Sequence, residues 1–241
     1  MPESNLTSRL AEAFWNKRHP EWAVSAPDRV RPHVVISPRA LPRYGYDRAT
    51  VRIRDLVRGR QPWITADALE LLDQLLRPTD RGLEYGAGGT TTWFAERVEF
   101  LDSVEGSDRW HGPLEGDIAS KGMDNVTLHL VSKEELGIDS PAHREGYINV
   151  CPDLQPESLD FVFVDGEYRD DCALRGVTLL KSGGLLILDN ATAYLPADTR
   201  SPWRVDKPVS ARWEEFAGHV STWRRIWTTN GVWDTAIWVK P

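Results

Sequence analysis

Asp165, Asp189 and Asn190 are the residues whose chemistry is easiest to name. Each follows a strongly apolar run, 159–164 for the first aspartate and 184–188 for the Asp-Asn pair. Two carboxylates and an amide oxygen make a hard-oxygen set suited to magnesium, which keeps waters or takes substrate oxygens in its remaining positions. Such an ion lowers the pKa of a bound hydroxyl. Without it, the candidate general bases are Asp165, Asp189, Tyr168, His111 and His143. Cys172 falls in an expected helix and Cys151 precedes a proline in a loop. Neither has a partner that points to nucleophilic catalysis.

A second set surrounds the turn Glu84-Tyr85-Gly86-Ala87-Gly88-Gly89-Thr90-Thr91. Glycines there allow a tight strand-to-helix turn and let backbone amides approach a ligand closely. A dinucleotide fingerprint needs a third glycine at position 91, where Thr91 stands. Glu84, two residues before the first glycine, suits a cationic amino group better than a pyrophosphate. Glu105 lies 21 residues after Glu84, where a carboxylate accepts hydrogen bonds from both hydroxyls of a ribose. Together these features fit an adenosine nucleoside with an amino-acid tail and no phosphate.

The elements that must position these groups alternate regularly after Pro78. Strands are expected at 82–85, 100–105, 126–131, 159–164 and 184–188, with helices at 91–97 and 171–180. Upstream, Thr65 N-caps an expected helix over 66–76 that Pro78 ends. Strand–helix alternation argues for an α/β, doubly wound and mostly parallel sheet. Asn230-Gly231, between the apolar runs 222–227 and 233–239, is a hairpin signal, so the sheet closes with an antiparallel pair. Before this body, 5–19 has helical spacing, while 20–62 is broken by Pro27, Pro32, Pro38 and Pro42 and reads as loops and brief extended pieces. The expected division is a partly helical, Arg/Pro-rich extension over 1–62 and one domain over 63–241.

Leu83-Glu84-Tyr85-Gly86-Ala87-Gly88-Gly89-Thr90-Thr91 resembles the first motif of class I S-adenosylmethionine-dependent methyltransferases. The resemblance continues through Ser103-Val104-Glu105, Phe161-Val162-Phe163-Val164-Asp165-Gly166 and the stretch 180–189, and covers about residues 62–240. It implies a Rossmann-like seven-stranded sheet whose last strand is antiparallel, and S-adenosylmethionine as cofactor. Gly86, Ala87, Gly88 and Thr91 then belong to the turn facing the methionine part, with Glu84 near its amino group. Glu105 holds the ribose, Gly106 and Ser107 lie beside the adenine, and Ser132 contacts its edge. Trp110 either stacks on the base or packs into the core; Trp63 either covers the cofactor or packs. The trio Asp165, Asp189 and Asn190 further resembles the magnesium site of cation-dependent O-methyltransferases, although Tyr168 stands where a related subgroup has histidine. The alternative is that Asp165 meets cofactor or substrate directly while Asp189-Asn190 caps the strand.

Composition narrows the acceptor. The 241 residues carry a formal net charge of −7, but 1–62 holds 12 Lys+Arg against 6 Asp+Glu while 63–241 holds 17 against 30. An acidic body weighs against nucleic acid, whose backbone needs a basic face. The expected partner is a small molecule, with a hydroxyl oxygen as acceptor and N- or carboxyl-methylation as alternatives. The rivals from other classes are an NAD-dependent dehydrogenase and a cofactor-binding protein without turnover. The basic arm reads either as a clamp for an anionic substrate or nucleic acid or as a peripheral segment docking on the acidic body, where it covers the pocket or pairs two subunits into a homodimer. Two cysteines exclude a disulfide scaffold and a structural zinc site of the Cys-rich kind. No apolar run is long enough to span a bilayer, and the first ten residues lack a charged-then-apolar pattern. A cytoplasmic enzyme is expected.

Overall fold

Strands that read as unbroken apolar text lie in the middle of the sheet, because only a strand covered on both faces can bury every side chain. A computed structural model of the protein describes residues 38–58, 62–137, 140–202 and 204–241; the helix expected over 5–19 lies outside them. The first described elements are a 3-10 turn at Pro38–Ala40, helix α1 (Leu41–Arg58) and helix α2 (Ala66–Leu75). β1 (Arg81–Tyr85), α3 (Gly89–Ala95), β2 (Phe100–Glu105), α4 (Asp108–Ser120) and β3 (Val126–Leu130) form the first half of the winding. Then come α5 (Lys133–Leu136), α6 (Pro141–Ile148), β4 (Leu159–Val164), α7 (Arg169–Leu179) and β5 (Leu180–Asp189). A 3-10 turn at Ala191–Ala193, α8 (Ala211–His219), β6 (Arg224–Thr229) and β7 (Asp234–Val239) close the chain.

The seven strands lie in the order β3-β2-β1-β4-β5-β7-β6. β1 to β5 pair in parallel, and β7 runs antiparallel to both β5 and β6. This is the expected doubly wound sheet with a terminal antiparallel hairpin. The chain winds from β1 outward to β3 and then crosses to β4, so the order reverses between β1 and β4. Ligands collect beyond the carboxyl ends of the strands at such a reversal.

Two cores sandwich the sheet. In β4, Phe161 and Phe163 point to one face with Phe94, Leu72 and Ile187, while Val162 and Val164 point to the other with Tyr85, Tyr147 and Leu186. Burying each such side chain contributes about 1.5–3 kcal/mol. Thr65 does cap α2, accepting the Ala68 amide. Asn230 Oδ1 accepts the Val232 and Trp233 amides, and Gly231 takes φ +80° in the β6–β7 turn.

The proline-broken reading of 20–62 is corrected over its described part. Residues 41–58 form one 18-residue helix, because Pro42 occupies its first turn, where a missing N–H costs nothing. One contact with the body in the described part is made by an acidic residue. Asp47, an acidic residue of this basic segment, is buried against Gly231 and lies 3.8 Å from Arg200. α1 thus sits beside the β6–β7 turn, at the end of the sheet where β1 and β4 terminate.

Candidate active site

The turn after β1 and the turn after β4 touch backbone to backbone. The amides of Asp165 and Gly166 both donate to the Tyr85 carbonyl, at 2.8 and 2.7 Å. Gly86 has φ +99°, and a Cβ there would lie 2.4 Å from the Gly166 nitrogen. Glycine at 86 is therefore required both by conformation and by the close approach. Ala87 and Gly88 are partly exposed, and nothing lies within 4 Å of a Cβ built on Gly88. Space is therefore open at the start of α3, on the side a Gly88 side chain would occupy.

Glu84 lies beneath this turn, not in front of it. Its side chain is fully buried, and its oxygens accept from the hydroxyls of Thr90, Thr91 and Ser103. Thr91 Oγ1 also accepts the Gly88 amide at 2.9 Å. Glu84 and Thr91 therefore shape the turn from below, which differs from direct contact with an amino group. Burial pushes the Glu84 carboxyl up to about 7, against the pull of the three hydroxyls, and the charge of Asp165 adds to the rise. A carboxyl with a raised folded pKa binds its proton more tightly when folded, so it lowers stability as pH rises through the window from 4.5 to about 7. The span corresponds to about 3 kcal/mol. Glu84→Gln is expected to remove that part of the slope, read as urea unfolding free energies at pH 5, 6 and 7. An unchanged slope would locate the titration elsewhere.

Glu105 ends β2, half-buried, with Oε1 accepting the Ser107 amide at 2.8 Å. Burial pushes it up to about 7; the Ser107 amide, Lys133 and the Gly106 amide pull it down, and Glu167 raises it. Lys133 Nζ donates to Glu167 Oε1 at 2.8 Å. Gly106 and Ser107 are buried behind Glu105, and Ser107 starts α4. Ser132 caps α5 by accepting the Glu135 amide and donates to Asp108, so its hydroxyl is committed within the chain. The two tryptophans correct one reading outright. Trp63 is 74% exposed and Trp110 58% exposed, so neither packs into the core.

Sequence reasoning missed the residue at the centre of the acidic trio. Arg169, at the start of α7, is only 8% exposed and reaches all three members. Its Nη2 lies 2.7 Å from Asp165 Oδ1, and Nη1 donates to the Asp189 carbonyl at 2.8 Å and to Asn190 Oδ1 at 3.4 Å. Nε donates to the Gly166 carbonyl at 2.9 Å. Burial disfavours its charge, but Tyr194, Asp165 and Asp189 push its pKa up. Only the four-residue spacing from Asp165 hinted at this pairing in the sequence.

The three oxygen groups are therefore not presented alike. Asp189 is 3% exposed; Thr235 Oγ1 donates to its Oδ1 at 2.7 Å and Asn190 Nδ2 to its Oδ2 at 2.6 Å. Burial, then the neighbouring Asp165 charge, pushes its carboxyl well up. Asp165 keeps a side chain 31% exposed. Burial pushes its carboxyl up and Arg169 pulls it back, with the net change upward. Because a guanidinium already stands among these oxygens and both Asp189 oxygens are taken, the set does not fit a magnesium ion. A dication a few ångströms from that charge meets repulsion instead of a vacant cage.

Two candidate bases, His143 and Tyr168, are tied to one another. His143 is fully buried; its Nε2 donates to the Val131 carbonyl at 3.0 Å, so Nδ1 accepts from the Tyr168 hydroxyl at 2.7 Å. His111 lies on α4, half-buried. Cys151 Sγ does lie 3.5 Å from His129 Nε2, a contact the sequence does not show. Burial and the nearby Asp102 push that thiol up to about 12, so it is not an activated nucleophile.

No protein-family model matches the sequence, and no curated protein matches it. Solved structures do share its architecture. A methyltransferase-like protein from Silicibacter pomeroyi is 21% identical, with TM-score 0.52, over 76% of this chain and 90% of its own. A protein from Klebsiella pneumoniae, described as a candidate O-methyltransferase, is 17% identical with TM-score 0.52, over 98% and 100%. A methyltransferase from Geobacter sulfurreducens is 14% identical with TM-score 0.50, over 95% and 98%. At these identities the likeness is one of fold: the chain has the fold of class I S-adenosylmethionine-dependent methyltransferases. Among the described residues no helix is long and apolar enough to cross a membrane.

Proposed function

We propose that the protein transfers a methyl group from S-adenosylmethionine to a hydroxyl of a small molecule, without a divalent metal, using Asp165 as base and Arg169 as a fixed positive charge. The observation that carries this reading is the Asp165–Arg169 pair at 2.7 Å on the turn that touches the glycine turn. When bound, the cofactor would supply a sulfonium methyl open to in-line attack, with the neutral thioether as leaving group.

The residues present fit that cofactor. Gly86, Ala87 and Gly88 offer a wall with no side chain larger than a methyl and with space open at Gly88, and Glu105 offers a carboxylate to the ribose hydroxyls. Trp63 and Trp110 are exposed rings available to cover or stack on a ligand. Arg169 holds the carbonyls at the ends of β4 and β5 together and keeps the Asp165 carboxylate in one place. Orientation of this kind supplies much of the acceleration in a displacement. Asp165, partly exposed, takes the proton of the acceptor hydroxyl. Asp189 and Asn190 brace Arg169 from behind. α1, seated by the β6–β7 turn, forms the outer wall and selects the acceptor; the acidic body favours a small molecule over nucleic acid.

Calorimetry with S-adenosylmethionine and with NAD tests the cofactor, and release of S-adenosylhomocysteine across a panel of phenols, alcohols, amines and carboxylates tests the acceptor. S-adenosylmethionine binding with hydroxyl turnover is expected. NAD binding would favour the dehydrogenase, and binding without turnover the non-catalytic rival. Initial rates in metal-depleted buffer are expected to be the same with and without added magnesium; strict dependence on magnesium would overturn the role given to Arg169.

Glu105 makes the cofactor affinity pH-dependent. Below about 7 its carboxyl is protonated and loses one acceptor for the ribose, so affinity is expected to fall as pH drops from 8 to 6. Glu105→Gln should bind about 10–100-fold more weakly at pH 8, from the loss of charged hydrogen bonds, and show a flatter profile. A steep profile retained in the variant would assign the effect to another group.

A further inference from the structure

Outside the crevice, three side chains with metal-binding donors meet on the outer half of the sheet. Asp102 is on β2, His129 on the edge strand β3, and Cys151 follows α6 on the connection to β4. His129 pairs in register with Val104, two residues from Asp102, so the carboxylate and imidazole are diagonal neighbours on one face. His129 Nε2 lies 2.8 Å from Asp102 Oδ1 and 3.5 Å from Cys151 Sγ. One donor atom from each residue lies within 4.8 Å of the other two. All three residues are half-buried, sheltered yet reachable. A cavity of about 190 Å³, lined by Asp102 together with Arg81, Leu154 and Ser158, opens beside that carboxylate.

The arrangement is not that of a Cys–His–Asp nucleophile. There the imidazole faces the thiol with one nitrogen and the carboxylate with the other, whereas here both partners meet the same Nε2. Two groups converging with a third on one nitrogen is the geometry of a shared centre. One thiolate sulfur, one imidazole nitrogen and one carboxylate oxygen select zinc over magnesium or calcium. Tetrahedral zinc, with bonds of about 2.0–2.3 Å, spaces its donors about 3.3–3.8 Å apart. The Cys151–His129 separation already matches. The Asp102–His129 contact needs to open by only about half an ångström as the ion replaces their hydrogen bond.

We propose that Asp102, His129 and Cys151 bind a zinc ion, with the fourth position open to water from the adjoining cavity. Binding releases the Cys151 thiol proton to solvent, since a coordinated thiol is deprotonated by the cation itself. The site lies away from the glycine turn and fastens the connection that carries Cys151 to β2 and β3. It does not depend on the methyl-transfer reading.

The test is a cobalt titration of the full-length protein after metal stripping. One equivalent of cobalt is expected to give a thiolate-to-cobalt charge-transfer band together with tetrahedral ligand-field bands, both abolished by zinc. Cys151→Ser should lose the charge-transfer band and bind zinc at least about tenfold more weakly, and His129→Ala should weaken zinc binding comparably. Zinc should raise the melting temperature of the wild type but not of Cys151→Ser, while binding of S-adenosylmethionine stays the same in that variant. Absence of the charge-transfer band in the wild type, which requires no variant to fold, would overturn the proposal. So would zinc affinity unaffected by Cys151→Ser, or a band retained in it through Cys172.

Discussion

Asp165→Asn is expected to lower kcat by about 10²–10⁴-fold, the usual contribution of a positioned general base, while changing cofactor affinity less than about tenfold. The reason is geometric. Asp165 combines a partly exposed side chain with a fixed partner, Arg169 at 2.7 Å, whereas Asp189 is buried with both oxygens taken. The amide keeps the size of the carboxylate but cannot take the acceptor's proton. The measurement is a steady-state rate over pH with calorimetric binding of the cofactor beside it. The pH–rate profile should lose its acidic limb in the variant. Full activity in Asp165→Asn would leave proximity alone as the source of rate and remove the base from the mechanism.

Arg169→Met is expected to cost about 3–5 kcal/mol of unfolding free energy, because removing one partner of a buried ion pair leaves the other without compensation. More than the pair is lost. The carbonyls of Asp165, Gly166 and Asp189 also lose their donor. Urea unfolding of the two proteins at one pH reads the difference. Arg169→Lys should recover only part, since an ammonium cannot reach these oxygens with a planar fork. A loss below about 1 kcal/mol, the range of exposed ion pairs, would show that solvent screens this cluster.

Much of this fold is legible in the sequence because burial on both faces leaves a plain record. Residues 159–164 carry one polar residue in six and form the strand with those bounds, and Thr65 and Asn230-Gly231 mark their cap and turn by local chemistry. α1 was hidden because Pro42 reads as a breaker until its place in the first turn is known. The exposure of Trp63 and Trp110 was hidden for the opposite reason: a large aromatic ring has the same composition signal inside or outside. Arg169 shows a different limit. Its neighbours in sequence, Glu167 and Tyr168, belong to the Lys133 and His143 contacts, and Tyr168, immediately before it, takes a left-handed conformation that the sequence does not announce. The hydroxyls under Glu84 come from 90, 91 and 103, and the donors of the outer cluster from 102, 129 and 151. Groups so separated meet only after the strands pair.

The nesting of Gly86 against Gly166 bears on which acceptors can be used at all. Two backbones in contact, with no side chain between them, cannot repack, slide or yield to a bulkier guest. On the proposed reading, donor and base therefore share a single inelastic wall, and a substrate must bring its oxygen to a spot set in advance. Tolerance toward different acceptors then resides wholly in the opposite boundary, where α1 lies beside the β6–β7 turn. Directed evolution of selectivity would gain most from varying residues 41–58 and 230–233, and would find the glycine turns silent.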